Sequence, residues 1–177
     1  MPSKFIRIGA MLTTLWLLGG CGVPATPLDT IKPPLSEANM QRYKTSQELI
    51  KLLPEKAQLL APIQGQEGHD ISFGDMDGDG IDEAVVVYED NENIGNTLKA
   101  ALFKQQNETW QKISEVNGFG YGLEYAGIFD IDHDGNNELA LGWSLGDAGK
   151  GLDVYRLSED KLTLLSKKAF HDKLNLE

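Results

Sequence analysis

The chain has 177 residues, with 27 Asp or Glu against 16 Lys or Arg and a single cysteine. A net charge of −11 repels phosphate backbones and so excludes nucleic acid as a partner. One cysteine excludes an internal disulfide, although small exported domains often depend on such staples.

In chain order, Lys4 and Arg7 precede the apolar run "IGAMLTTLWLL", the pattern of a secretory signal and too short for the ~20 residues that cross a bilayer. The run ends in Leu18-Gly19-Gly20-Cys21, which resembles the lipobox of bacterial lipoproteins. That resemblance implies cleavage after residue 20, lipidation of Cys21 and attachment to the outward-facing side of a bacterial membrane, extracellular or periplasmic. An ordinary cleavage site followed by an incidental cysteine is the alternative. Removing residues 1–20 takes away two bases and no acid, leaving 14 bases, 27 acids and a formal charge of −13. Such a surface also repels anionic headgroups, so the membrane would be reached through lipid on Cys21 and not through a basic patch.

Residues 22–35, "GVPATPLDTIKPPL", are proline-rich and without apolar periodicity, as an extended tether would be. The lipidated cysteine and tether are assigned to residues 21–44, the folded domain to 45–170 and a polar tail to 171–177. In "KTSQELIKLLPEK", Thr45 or Ser46 is expected to cap a short helix with Leu49, Leu52 and Leu53 on one face, and Pro54 to end it.

Beyond residue 59, eight short β-branched and aliphatic runs alternate with Gly, Asn and Asp clusters: "HDISF", "EAVVVY", "LKAALFK", "WQKISEV", "EYAGIF", "ELALGW", "LDVYRL" and "KLTLLSK". These read as strands. They also repeat. "GDMDGDGIDEAVVVYED" recurs as "FDIDHDGNNELALGW" 55 residues on, and "ALFKQQNETWQKI" lies without a gap against "DVYRLSEDKLTLL" at an offset of 52, pairing Lys104 with Arg156 and Ile113 with Leu165. Each unit reads as strand, acidic loop, strand, variable loop, strand, hairpin turn, strand. The expected fold is mainly β, with two four-stranded blades of propeller type and one short amino-terminal helix. Two such units leave two open faces, one of which the helix is expected to cover.

In each acidic loop, carboxylates stand at positions 1, 3, 5 and 9: Asp75, Asp77, Asp79 and Glu83 in the first, and Asp130, Asp132, Asp134 and Glu138 in the second. Gly80 and Gly135 hold position 6, where a sharp turn needs glycine. Carboxylates so close repel one another unless a cation sits among them, and hard oxygens favour calcium. The expected ligands are these eight acids with the backbone carbonyls of Ile81 and Asn136 at position 7, two Ca2+ sites in all. An EF-hand is excluded, because position 12 is Val86 or Leu141 instead of a bidentate Glu. An acid at position 9 with a strand on each side resembles the FG-GAP or VCBS-type repeat of integrin α-subunit propellers and of bacterial surface lipoproteins, over roughly residues 59–166. The resemblance implies that calcium is structural. Turns that are merely acidic and glycine-containing are the plainer reading.

Catalysis finds no support: His69, His133 and His171 share no pattern, and no serine lies in a G-x-S-x-G elbow. The expected function is a non-catalytic, lipid-anchored, calcium-stabilised binding or adhesion-type module of a bacterial envelope, with an envelope or extracellular protein or glycan as partner. One alternative is a cell-wall glycan-binding enzyme or enzyme accessory that uses the aromatic loops around Tyr121 and Trp143. Another is a shortened, degenerate family member.

Overall fold

The computed structural model describes residues 37–65, 71–91 and 96–170. The expected signal segment, Cys21, the proline-rich stretch, His69, His171 and the expected tail lie outside the described residues.

The folded unit opens with helix α1 (Glu37–Ile50), which corrects two expectations. Residues 37–44 are helical and not tether, and Thr45 and Ser46 lie inside the helix instead of capping it. The stretch "EANMQRYK" is built almost wholly of good helix formers, a signal that apolar spacing does not carry. Ser46 Oγ donates to the Arg42 carbonyl one turn back at 2.9 Å. The helix ends at Ile50, before Pro54, through turn bonds from the Leu52 amide to the Leu49 carbonyl and from the Leu53 amide to the Ile50 carbonyl. Leu49 is fully buried and Leu53 partly so, whereas Leu52 is exposed. The three leucines therefore do not share one buried face. Among the described residues no helix is long and apolar enough to cross a membrane.

Ten strands follow among the described residues: β1 (Ala57–Leu59), β2 (Gln64–Gly65), β3 (Ile71–Gly74), β4 (Glu83–Asp90), β5 (Thr97–Gln106), β6 (Thr109–Asn117), β7 (Gly122–Phe129), β8 (Glu138–Ser144), β9 (Lys150–Ser158) and β10 (Lys161–Phe170). The eight expected runs are β3 to β10. Strands β3-β4-β5-β6 form one antiparallel meander and β7-β8-β9-β10 a second. The short β1 and β2 were not legible as strands. β1 extends the β3 edge by pairing with Tyr88 to Asp90 of β4, while β2 runs parallel to β7 and joins the other sheet. One amino-terminal segment thus borders both sheets.

The internal repeat survives in backbone detail. Both outer hairpins turn on two residues with positive φ, Asn107 and Glu108 (49° and 63°) in the first and Glu159 and Asp160 (51° and 60°) in the second, as tight hairpins matched to strand twist require. Register slips at Ile113 in one sheet and at Leu165 in the other, the positions that the sequence repeat pairs.

The two sheets pack in the same sense. Val85, Val87, Ala100 and Leu102 of the first share a buried cluster with Leu139, Leu141 and Trp143 of the second. Their repeat equivalents point elsewhere. Ala84, Val86 and Tyr88 face Leu49 of α1, and Ala140, Leu152 and Val154 form a third cluster bordered by Tyr125, Phe129, Ile131 and Phe170. Each sheet is therefore apolar on both faces, in keeping with the continuous apolar runs of β4 and β8. Each fully buried Val or Leu contributes ~1.5–3 kcal/mol.

Candidate metal centre

The first acidic loop joins β3 to β4 and folds around its own carboxylates. Asp75 accepts the Gly78 amide on Oδ1 at 2.7 Å and the Gly80 amide on Oδ2 at 2.9 Å. Asp77 Oδ1 accepts the Asp79 amide at 3.2 Å, and Asp79 Oδ1 accepts the Ile81 amide at 2.8 Å. That last bond, with the Lys104 ammonium behind it, holds Asp79 below the usual carboxylate range. Gly78 and Gly80 have φ of 78° and 83°, a region that side chains rarely enter.

Glu83, at position 9, is the first residue of β4 and fully buried. Its Oε2 accepts the Met76 amide at 2.8 Å, whereas its Oε1 is buried with no hydrogen-bond partner. Burial pushes the carboxyl up; the Met76 amide opposes this and the Asp77 charge adds to it. Ligand atoms of Asp75, Asp77 and Glu83 lie within 4.8 Å of one another.

The second loop, between β7 and β8, repeats the design. Asp130 accepts the Asp134 amide at 3.1 Å and the Gly135 amide at 2.9 Å. Asp134 Oδ1 accepts both the backbone and the side-chain amide of Asn136 at 2.9 Å, and these bonds hold Asp134 low. His133 takes the place of Gly78 and shares its left-handed backbone, with φ of 59°. Asp130, Asp132 and Glu138 form a second triad within the same 4.8 Å limit. The triads thus unite positions 1, 3 and 9 of the expected ligand sets. The position-5 acids bind the amides of Ile81 and Asn136, the two residues from which carbonyl ligands were expected.

Two features escaped the sequence reading. Lys104 of β5 reaches into the first loop, bonding Asp77 and lying 3.1 Å from Asp79 and 3.9 Å from Glu83 Oε1. Arg156 of β9 reaches into the second, 3.2 Å from Asp132 and 2.8 Å from Asp134, with its Nε donating to Glu138 Oε1 at 2.9 Å. The sequence repeat already paired these two bases. What it could not give is which way strands β5 and β9 turn them. The second feature is Asn137, whose Nδ2 donates to the Asp75 carbonyl at 2.7 Å and so joins the two loops.

The first triad fits a hard divalent cation. All its donors are oxygens, and Glu83 brings a desolvated carboxylate oxygen that no protein donor satisfies. An orphaned oxygen is not enough alone. Asp153 Oδ1 is also buried without a hydrogen bond, but its Oδ2 accepts Trp143 Nε1 and the Tyr155 hydroxyl, each at 3.3 Å, with Lys167 3.7 Å away. There burial and the Asp153 charge push the Tyr155 hydroxyl up to about 12, and no second carboxylate joins it in a metal-type cluster among the described residues.

Compared with models of known protein families, curated proteins and solved structures, the chain matches none.

Proposed function

We propose that this chain is a calcium-stabilised, non-catalytic binding module of adhesion type, held to a bacterial envelope membrane by lipid on Cys21 and facing outward. The observation that carries the calcium reading is the buried, unsatisfied Glu83 Oε1 within a triad of carboxylates. In the protein without calcium, Glu83 carries the cost of a desolvated carboxylate. A cation among Asp75, Asp77 and Glu83 removes that cost and the mutual repulsion of the acids, so that binding energy becomes folding energy.

The two sheets are read as propeller-type blades of the FG-GAP or VCBS kind. Three observations support this: each contains a four-stranded meander, each meander carries its acidic loop between its first two strands, and the sheets stack in the same sense. The partner is an envelope or extracellular protein. A glycan partner is the second reading, and its support is Tyr121, which is 86% exposed. Trp143 gives it none, being wholly buried.

Capture of surface partners by crosslinking on intact cells, in millimolar calcium and in EDTA, tests the reading. A protein recovered only with calcium is expected. No calcium-dependent protein, together with glycan binding that Tyr121→Ala abolishes, would favour the second reading. Cys21→Ser should abolish fatty-acid labelling and release the chain from the membrane. Unchanged labelling and retention would defeat the anchor.

A further inference from the structure

Lys104 and Arg156 occupy the same place in the two repeat units, 52 residues apart, and touch the same loop positions, 3, 5 and 9. Each is a tethered counter-cation among the loop carboxylates. They leave their loops in different states, and the difference lies at position 9. Glu138 is satisfied on both oxygens: Oε1 accepts the Nε and Nη2 groups of Arg156, and Oε2 accepts the Ile131 amide at 3.1 Å. Glu83 is satisfied on one. Its Oε2 has the Met76 amide, but Oε1 lies 3.9 Å from the Lys104 ammonium and has no hydrogen bond.

The chemistry of the two side chains explains this. A guanidinium is a planar fork of five donors and can bind Glu138 through two nitrogens while one of them also reaches Asp132 and Asp134. An ammonium is a compact point charge that cannot span the same three carboxylates at bonding distance, so bonding Asp77 leaves Glu83 short. Charge reinforces the asymmetry. The first loop holds five acids, Asp75, Asp77, Asp79, Asp82 and Glu83, against one lysine, while the second holds four against one arginine.

Resting on the calcium reading above, we infer that the two loops are not equivalent: the first is a calcium site from which the metal must displace Lys104, and the second is closed by Arg156, which does the metal's work permanently. Lys104 is less exposed than Arg156, 17% against 32%, but it sits on a flexible stem and has no hydrogen bond to the buried Glu83 to break, so it can swing aside as the metal enters. Expelling Arg156 would break the paired Glu138 at the same time. Lys104 and Arg156 are thus specificity-determining residues that act by competing with the metal.

Exchanging the two bases tests this. Calcium stoichiometry and affinity would be measured by isothermal titration on the full chain, with circular dichroism to establish folding. The unmutated chain should bind one calcium. Lys104→Arg should close the first loop and abolish binding, Arg156→Lys should open the second and raise the stoichiometry to two, and Lys104→Gln should tighten the single site by about 5- to 30-fold, equivalent to ~1–2 kcal/mol. Two sites in the unmutated chain, or unchanged affinity in Lys104→Arg, would overturn the inference and leave the calcium reading standing. If Arg156→Lys fails to fold, Lys104→Arg decides alone. Absence of binding in every folded variant would overturn the calcium reading itself, and the inference with it.

Discussion

The side-chain amide of Asn137 donates to the backbone carbonyl of Asp75 at 2.7 Å, joining two acidic loops whose bonded residues lie 62 positions apart. Asp82 holds the matching place in the first loop. The departure from the repeat has a physical reason, since a carboxylate cannot donate to a carbonyl. Asn137→Ala should cost ~1 kcal/mol for the lost, half-buried bond. Asn137→Asp should cost more, because it adds an acid beside nine others and leaves the carbonyl without its donor. Urea unfolding midpoints of the two variants in EDTA check the order; Asp equal to or milder than Ala would show that the bond contributes nothing.

Calcium should stabilise the fold. With Kd of about 0.1 mM, at the tight end for extracellular modules, 1 mM free calcium adds ~1.4 kcal/mol for one site, or a rise of about 3–6 °C in Tm. Asp77→Asn with Glu83→Gln should remove this shift, and Asp132→Asn with Glu138→Gln should leave it in place. Calorimetry in EDTA and in calcium reads both, and identical midpoints for the unmutated chain would make the loops ordinary acidic turns.

The position-9 glutamates should differ even without metal. Glu138→Gln breaks the pairing of a buried carboxylate with a partly exposed guanidinium and should cost more in EDTA than Glu83→Gln does. Glu83→Gln removes a charge that burial already disfavours and should cost less than ~1 kcal/mol or stabilise. Equal losses on chemical denaturation would contradict the unequal partnering of the two carboxylates.

Acid should weaken the first sheet through Glu115, at a site remote from the loops. Its Oε2 accepts the Tyr88 hydroxyl at 2.7 Å and the Lys112 ammonium at 2.8 Å. Burial raises the Glu115 carboxyl, but the bonds from Lys112 and Tyr88 outweigh it and the net shift is downward. A carboxyl held low adds stability that is fully present above its unfolded pKa, about 4.3, and is lost as pH falls through the lower folded value. Stability measured from pH 7 to pH 3 should therefore fall less steeply in Glu115→Gln. Parallel curves would remove Glu115 from the acid response.

The aromatic loop divides into packed and free residues. A Cβ on Gly118 would lie 2.5 Å from the ring of the wholly buried Trp143, so Gly118→Ala should cost ~1–3 kcal/mol by overpacking. Tyr121→Ala should stay within about 0.5 kcal/mol. Unfolding midpoints with near-ultraviolet circular dichroism separate them, and a tolerated Gly118→Ala would mean that the ring can move aside.

The repeat, the eight main strands and the loop architecture were legible in the sequence because their causes are local. Alternating acids, a glycine at position 6 and aliphatic runs act within a few residues, and the backbone follows them. Helix α1 was legible in part. Leu49 marked its buried side, but its start lay in "EANMQRYK", which signals through propensity and not through apolar spacing. Strands β1 and β2 were not legible, since segments of three and two residues are defined by the neighbours they pair with.

Tertiary structure alone decided which charges meet. Asp77 and Lys104 are 27 residues apart and Asp132 and Arg156 are 24 apart. Their contacts depend on the register between strands, where a slip of one residue sends a side chain to the opposite face. The same holds for the stacking of the sheets, which turns Val85 and Val87 toward Leu139 and Leu141 while Ala84 and Val86 face α1. The sequence by itself determined that two loops would each gather carboxylates round a point. Whether a lysine or an arginine then reaches that point, and whether it satisfies Glu83 or Glu138, was decided by side-chain reach across a sheet, because a hydrogen bond exists only where distance and direction agree.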